Sequence, residues 1–144
     1  MLQNRGKLFS LDPAHPNCLA PRKRSFHTIM PAMVFKDGRP FMVFGVTGAH
    51  MQPQGQVQVL ANIIDFGMTV QEAMEAPRVN HLEGLDAALE EGIGAGARRA
   101  LKQMGHAVLR EANFGGAQGI LIHPEYGTLM GGSDPRKDGC ALGF

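Results

Sequence analysis

Apolar residues recur along this chain with two different periods, and each period predicts a different element. Residues 29–35, IMPAMVF, and 41–46, FMVFGV, are short apolar runs separated by Lys36-Asp37-Gly38-Arg39-Pro40. Asp-Gly between two such runs is a hairpin signal, because both residues tolerate a positive φ. The runs are therefore expected to pair as strands and, being apolar on both faces, to lie buried in the middle of layers. Further on the period lengthens. Val57, Leu60, Ala61 and Ile64 fall at i, i+3, i+4 and i+7, one face of a helix, with Gly67 placed to close it. Thr69 followed by Glu72 predicts a capping box that opens a second helix, VQEAMEA, ended by Pro77. Residues 85–91, LDAALEE, fit either period. Residues 94–104 predict a helix closed by Gly105. HAVLREA (106–112), GAQGILIHP (116–124) and GTLMGGSD (127–134) predict three strands, with a tight turn at Pro124-Glu125-Tyr126-Gly127. Residues 1–25, with turn chemistry at Asp12-Pro13 and His15-Pro16-Asn17, predict an extended lead-in.

The order is two strands, two or three helices, then three strands. Helices grouped between runs of antiparallel strands imply an α+β or layered arrangement, with helices packed on sheets, and not alternating βαβ units. The 144 residues suffice for one domain with a core.

Composition adds mainly exclusions. A net charge of +1 gives no electrostatic case for nucleic acid or a membrane surface as partner. Arg22-Lys23-Arg24 is too short for a binding tract and is expected to be a solvated loop. No apolar run approaches the roughly 20 residues that span a bilayer. The opening MLQNRGKLFS does not have the pattern of a signal peptide, and the compartment, cytoplasmic or periplasmic, stays open. Two cysteines, Cys18 and Cys140, make no disulfide framework and are expected as free thiols. There is no CxxC or HExxH, and His50, His81, His106 and His123 lack metal-ligand spacing, so no metal or cofactor is expected.

The stretch FGVTGAHMQPQG (44–55) carries the most chemistry. It reads as a strand–turn–helix junction. It also reads as an anion hole, because the N–H groups of Gly48, Ala49 and His50 precede a helix N-terminus, where the dipole favours negative charge. Such donors stabilise an oxyanion in acyl transfer. The glycine spacing is that of neither a dinucleotide fingerprint nor a P-loop. Pairing of the two first strands would bring Thr28 near Thr47, and His27 and Thr28 are candidates for the same pocket. Asp134-Pro135-Arg136 reads as an ion-paired turn. Asn4 and Arg5 are further candidates, Arg5 being either solvent-exposed or a carboxylate fork.

Taken together, RKRSFHTIMPAMVFKDGRP, GVTGAHMQPQGQVQVLANIIDFGMTVQEAMEAPR and GGSDPRKDG resemble, in this order, the C-terminal part of γ-glutamyltranspeptidases, with their bacterial acylase-like branch as the nearest match. The resemblance runs from about Leu2 to Phe144. It implies part of an αββα N-terminal-nucleophile hydrolase sandwich. In that family a precursor cleaves itself, and a threonine at the new N-terminus of the small subunit attacks a γ-glutamyl amide, its own α-amine serving as base. The family's oxyanion glycine pair matches Gly48 and Ala49. Its serine pair for the substrate's α-carboxylate matches His27 and Thr28. Its acid for the α-amino group falls at Leu8, which cannot pair an ammonium, and a neighbouring substrate-binding position falls at Arg5, which can pair a carboxylate. The resemblance thus implies an acyl group ending in a bare carboxylate, such as glutaryl, or a γ-linked glutamate polymer. No Thr-Thr-His-like nucleophile segment matches, so the chain is expected to be a C-terminal piece whose partners are the large subunit and the rest of the small one, with homo-oligomers expected. A non-catalytic module that self-associates or binds an acidic ligand is the competing reading. Replacement of the nucleophile by Thr28 or Ser133 is weaker, as no base is placed beside either.

Overall fold

The structure is a computed structural model that describes residues 4–110, 112 and 114–143. Met1, Leu2 and Phe144, which bound the resemblance, lie outside the described residues, as does Glu111 in the strand expected over 106–112. Arg5–Leu8 form a single 3-10 turn, and Ser10 bridges Cys18 in the turn-rich lead-in. The regular elements are β1 (Ala32–Lys36), β2 (Arg39–Thr47), α1 (Met51–Ile64), α2 (Val70–Glu75), β3 (Val79–His81), β4 (Asp86–Leu89), α3 (Ala95–Gln103), β5 (Ala107–Leu109), β6 (Gly116–Ile122) and β7 (Leu129–Ser133).

The first hairpin forms as its sequence predicts. Lys36 pairs Arg39 around Asp37 at φ 52 and Gly38 at φ 74, a two-residue turn of positive φ. β1, β2, β6 and β7 make one antiparallel sheet in the order β1-β2-β6-β7, and β3-β4-β5 make a second, smaller sheet. The expected α+β class holds. One pair departs from the antiparallel expectation: β4 and β5 are parallel, because α3 carries the chain back across between them. β3 was not expected at all, being three residues long, and the ambiguous stretch 85–91 contains β4, whose Ala87, Ala88 and Leu89 are buried.

Alternate residues of β2, namely Met42, Phe44 and Val46, point to one side and pack with Val59 and Ile63 of α1, Val70, Ala73 and Met74 of α2, and Ala117 and Leu121 of β6. The helix face differs from expectation. Val57 and Ile64 are exposed, and α1 buries Met51, Gln52, Gly55, Val59 and Ile63. Gly55 is the reason: a Cβ there would sit 2.8 Å from Val46 Cγ1, so the helix lies down on β2 at its smallest residue. Apolar periodicity searches for bulk and passes over a glycine. The expectation that β1 and β2 are buried on both faces is also corrected. Met33, Phe35, Val43, Ile120 and Leu129 remain exposed, because helices cover only one face of the four-stranded sheet among the described residues.

Two polar devices fix the layers. Gln54 and Gln58, one helical turn apart, act as a surrogate strand for β3. Gln58 Oε1 accepts from the Val79 N–H (2.8 Å) and its Nε2 donates to the Val79 carbonyl (2.8 Å); Gln54 does the same at His81 (2.8 and 2.9 Å). The second device is ionic. Arg78, 1% exposed, donates to Asp134 Oδ2 at 2.6 Å, to the Phe114 carbonyl at 2.9 Å and to the Met74 carbonyl at 3.1 Å. Arg136 binds the other Asp134 oxygen at 3.0 Å and forks onto Glu90 at 2.7 and 2.5 Å. The expected ion pair at 134–136 is therefore present, but as the outer part of a buried cluster that ties α2, β4, β6 and β7 together. Burial opposes ionisation of Asp134, yet the amides of Arg136 and Ala117 and the charge of Arg78 hold its carboxyl below the ordinary range.

Candidate active site

β2 ends at Thr47 and α1 begins at Met51, so three residues reverse the chain. Gly48 adopts φ 117 and Ala49 φ 52. The carbonyls of Gly48 and Ala49 turn inward and accept from the N–H groups of Met51 (3.0 Å) and Gln52 (3.1 Å). Their own N–H groups donate to no described residue, and α1 has neither a side-chain cap nor an acid in its first turn. The helix terminus is thus left with donors for an external acceptor. The strand beside it is held close: a Cβ on Gly115, which has φ 73, would fall 2.3 Å from the Thr47 carbonyl oxygen. Thr47 Oγ1 donates to the Gly116 carbonyl at 3.3 Å.

This corner opens on a cleft of about 1370 Å³ along the uncovered face of the sheet. Arg5, Thr28, Gly48 and Ala49 all line it, so four of the five expected site residues meet. Thr28 and Thr47 share the cleft as expected. His27 does not line it: the side chain is exposed, and its Nδ1 accepts from the Ile29 N–H at 3.2 Å. Adjacent residues of an extended segment point to opposite sides, so burying Thr28 turns His27 away. Leu8 is absent from the lining. The histidine rings serve local structure: His81, His106 and His123 each bond a nearby backbone group, and His50 stacks on Phe26 at 6.1 Å. Ser133 Oγ is tied to Gln118 Nε2 at 2.9 Å, and no described base contacts Thr28. Among the described residues no cluster of three metal-ligating side chains forms. Cys18 and Cys140 are free thiols, and Cys140 lines the cleft. Gln52 lines it too, and sequence reasoning passed over it as one of several helix glutamines.

A sequence model described as Gamma-glutamyltranspeptidase matches residues 1–144. The chain belongs to the γ-glutamyltranspeptidase family. Within it, the chain is 42% identical to the glutathione hydrolase-like YwrD proenzyme of Bacillus subtilis, over all of this chain and 29% of that protein. It is 41% identical to the oxamate amidohydrolase proenzyme of Klebsiella pneumoniae, over 99% of this chain and 28% of that protein. The fold matches a cephalosporin acylase from Bacillus halodurans with a TM-score of 0.88 and 43% identity, over 95% of this chain and 26% of that one. The chain therefore spans less than a third of these relatives' lengths. The family assignment and the sandwich-type α+β fold agree with what the three motifs implied, and the acylases among the relatives agree with the branch.

Proposed function

We propose that this γ-glutamyltranspeptidase-family chain is the C-terminal portion of the small subunit of a γ-glutamyltransferase or acylase that acts on γ-glutamyl or glutaryl amides by acyl transfer. In this reading the nucleophilic threonine comes from the part of the family protein that the chain does not span, together with the large subunit. The chain supplies the oxyanion hole, through the N–H groups of Gly48 and Ala49, and substrate-binding groups at Thr28 and Arg5. His27, facing away from the cleft, drops out of the substrate set. The observation that carries the reading is the convergence of Arg5, Thr28, Gly48 and Ala49 on one cleft at the open terminus of α1.

Chemically, attack on the scissile carbonyl places a developing negative charge on its oxygen. Two amide N–H groups aimed at that oxygen stabilise the transition state more than the ground state, and losing one such donor costs about 2.7–4 kcal/mol. Arg5 favours an acyl chain that ends in a carboxylate, since a guanidinium pairs with a carboxylate and repels an ammonium. The test is a kinetic comparison in the assembled enzyme. Arg5→Met is expected to lower kcat/KM sharply for glutaryl amides and less for γ-glutamyl amides. Equal, small losses on both would remove Arg5 from the site. The chain alone is expected to release no product from a γ-glutamyl anilide; turnover abolished by Thr28→Ala would overturn that expectation.

The open sheet face favours a second property. Exposed Met33, Phe35, Val43, Ile120 and Leu129 form an apolar surface of the kind that proteins cover, so the isolated chain is expected to form homo-oligomers through it.

A further inference from the structure

Helix α1 carries four glutamines, at 52, 54, 56 and 58. Three spend their carboxamides on the protein. Gln54 and Gln58 clamp β3, and Gln56 donates to the Met30 carbonyl. Gln52 differs. It is only 7% exposed, it lines the cleft, and no described residue donates to or accepts from its carboxamide. Its amide atoms are not sealed from solvent, so at the cleft the carboxamide can exchange water for an oxygen of a ligand. Thr28, also 7% exposed, is a second cleft-lining polar side chain with no described hydrogen-bond partner. Both accompany the unpartnered N–H groups of Gly48 and Ala49 at the start of the same helix.

We infer that Gln52 is a specificity-determining, substrate-contacting residue of this cleft, whose Nε2 donates to a carboxylate or carbonyl oxygen of the acyl group. The inference rests on the proposed acyl-binding role of the cleft and adds a residue to it. A neutral amide suits the position. It supplies a donor to an anionic ligand without the desolvation cost of a buried charge, and its Oε1 can accept an N–H from an amide substrate. With the helix dipole and Arg5 already providing positive potential, Gln52 provides direction. It selects ligands whose oxygen lies within reach of the first turn of α1, two residues beyond the Gly48–Ala49–His50 corner. A glutamate in its place would meet the same ligand with like charge.

The experiment is a titration of the 15N-labelled 144-residue chain with glutarate, at a concentration where sedimentation shows it monomeric, following the backbone N–H signals of Gly48 and Ala49 and the side-chain NH2 signals of Gln52. The expected result is saturable shifts at all three, with one dissociation constant. Gln52→Met, which keeps the length and loses the amide, is expected to weaken that constant roughly tenfold, and Gln52→Glu more, while the melting temperature of either variant does not fall. A purely structural Gln52 would lower the melting temperature and leave the dissociation constant alone. Shifts at Gly48 and Ala49 with Gln52 unmoved, and with Gln52→Met binding as tightly as the parent, would overturn the inference and leave the cleft reading standing. No shift at any of the three would overturn both.

Discussion

Ala49 is the residue at which the fold and the chemistry meet most tightly. Its φ of 52 lies in the left-handed region, where a Cβ crowds the following carbonyl at a cost of about 1–2 kcal/mol. Glycine would avoid that crowding but lose more backbone entropy on folding. Ala49→Gly is therefore expected to raise stability by no more than about 1 kcal/mol, read as a small rise in the urea midpoint, with the N–H still in place for the proposed oxyanion contact. A loss of stability would mean that the alanine conformation is unstrained. The sequence made Gly48 and Ala49 visible because a glycine between a strand and a helix has few other uses. Thr28 and Arg5 were open candidates from the residues alone, Thr28 through the pairing of the first two strands and Arg5 as either a solvent-exposed residue or a carboxylate fork, and only the family motifs implied substrate roles for them. His27 misled because adjacent residues share a motif but not a side of the backbone. Gln52 stayed hidden because its three neighbours of the same type are structural, and only the hydrogen-bond partners separate them.

At the scale of elements, local rules held where the signal was local. The capping box is complete: the Glu72 N–H donates to Thr69 Oγ1 at 3.3 Å, and the Thr69 N–H donates to Glu72 Oε2 at 2.8 Å. Hydrogen bonds from the Thr69 backbone and hydroxyl hold the Glu72 carboxyl below its ordinary range. Thr69→Ala is expected to cost about 1 kcal/mol, measurable by chemical denaturation, and an unchanged midpoint would show that tertiary packing alone holds α2. The first hairpin and the Gly67 and Gly105 helix ends were equally legible, each fixed by one or two residues of positive φ. The buried face of α1 was not, because contact with β2 at Gly55 depends on a strand that periodicity within the helix does not sense. Gly55→Leu is expected to be among the most damaging changes in the helix, since its side chain would enter space already held by Val46. The parallel β4–β5 pair was hidden for a similar reason: which strands become neighbours is decided across α3.

For the whole molecule, the Arg78–Asp134–Arg136–Glu90 cluster is the feature least legible in sequence, because Arg78 and Asp134 are 56 residues apart. Removing the carboxylate leaves Arg78 buried with its charge uncompensated. Asp134→Ala is expected to cost about 3–5 kcal/mol, a large part of the roughly 5–15 kcal/mol of a typical domain. The pH dependence follows from the lowered pKa of Asp134. A folded pKa below the unfolded value of about 3.9 means that this contribution is complete above about pH 4 and is lost as pH falls through the folded value. The parent chain is thus expected to lose urea resistance more steeply than Asp134→Ala below pH 4; parallel curves would contradict the assignment. The uncovered face of the four-stranded sheet predicts concentration-dependent association, and a clean monomer in sedimentation at high concentration would count against it. The central claim, that the Gly48–Ala49 corner receives the oxyanion, is tested most directly by a crystal structure of the assembled enzyme trapped with a tetrahedral acyl phosphonate. The account predicts one phosphonate oxygen within about 2.7–3.1 Å of both the Gly48 and Ala49 amide nitrogens. An oxygen held by other donors, with both of these amides bonded to water, would contradict it.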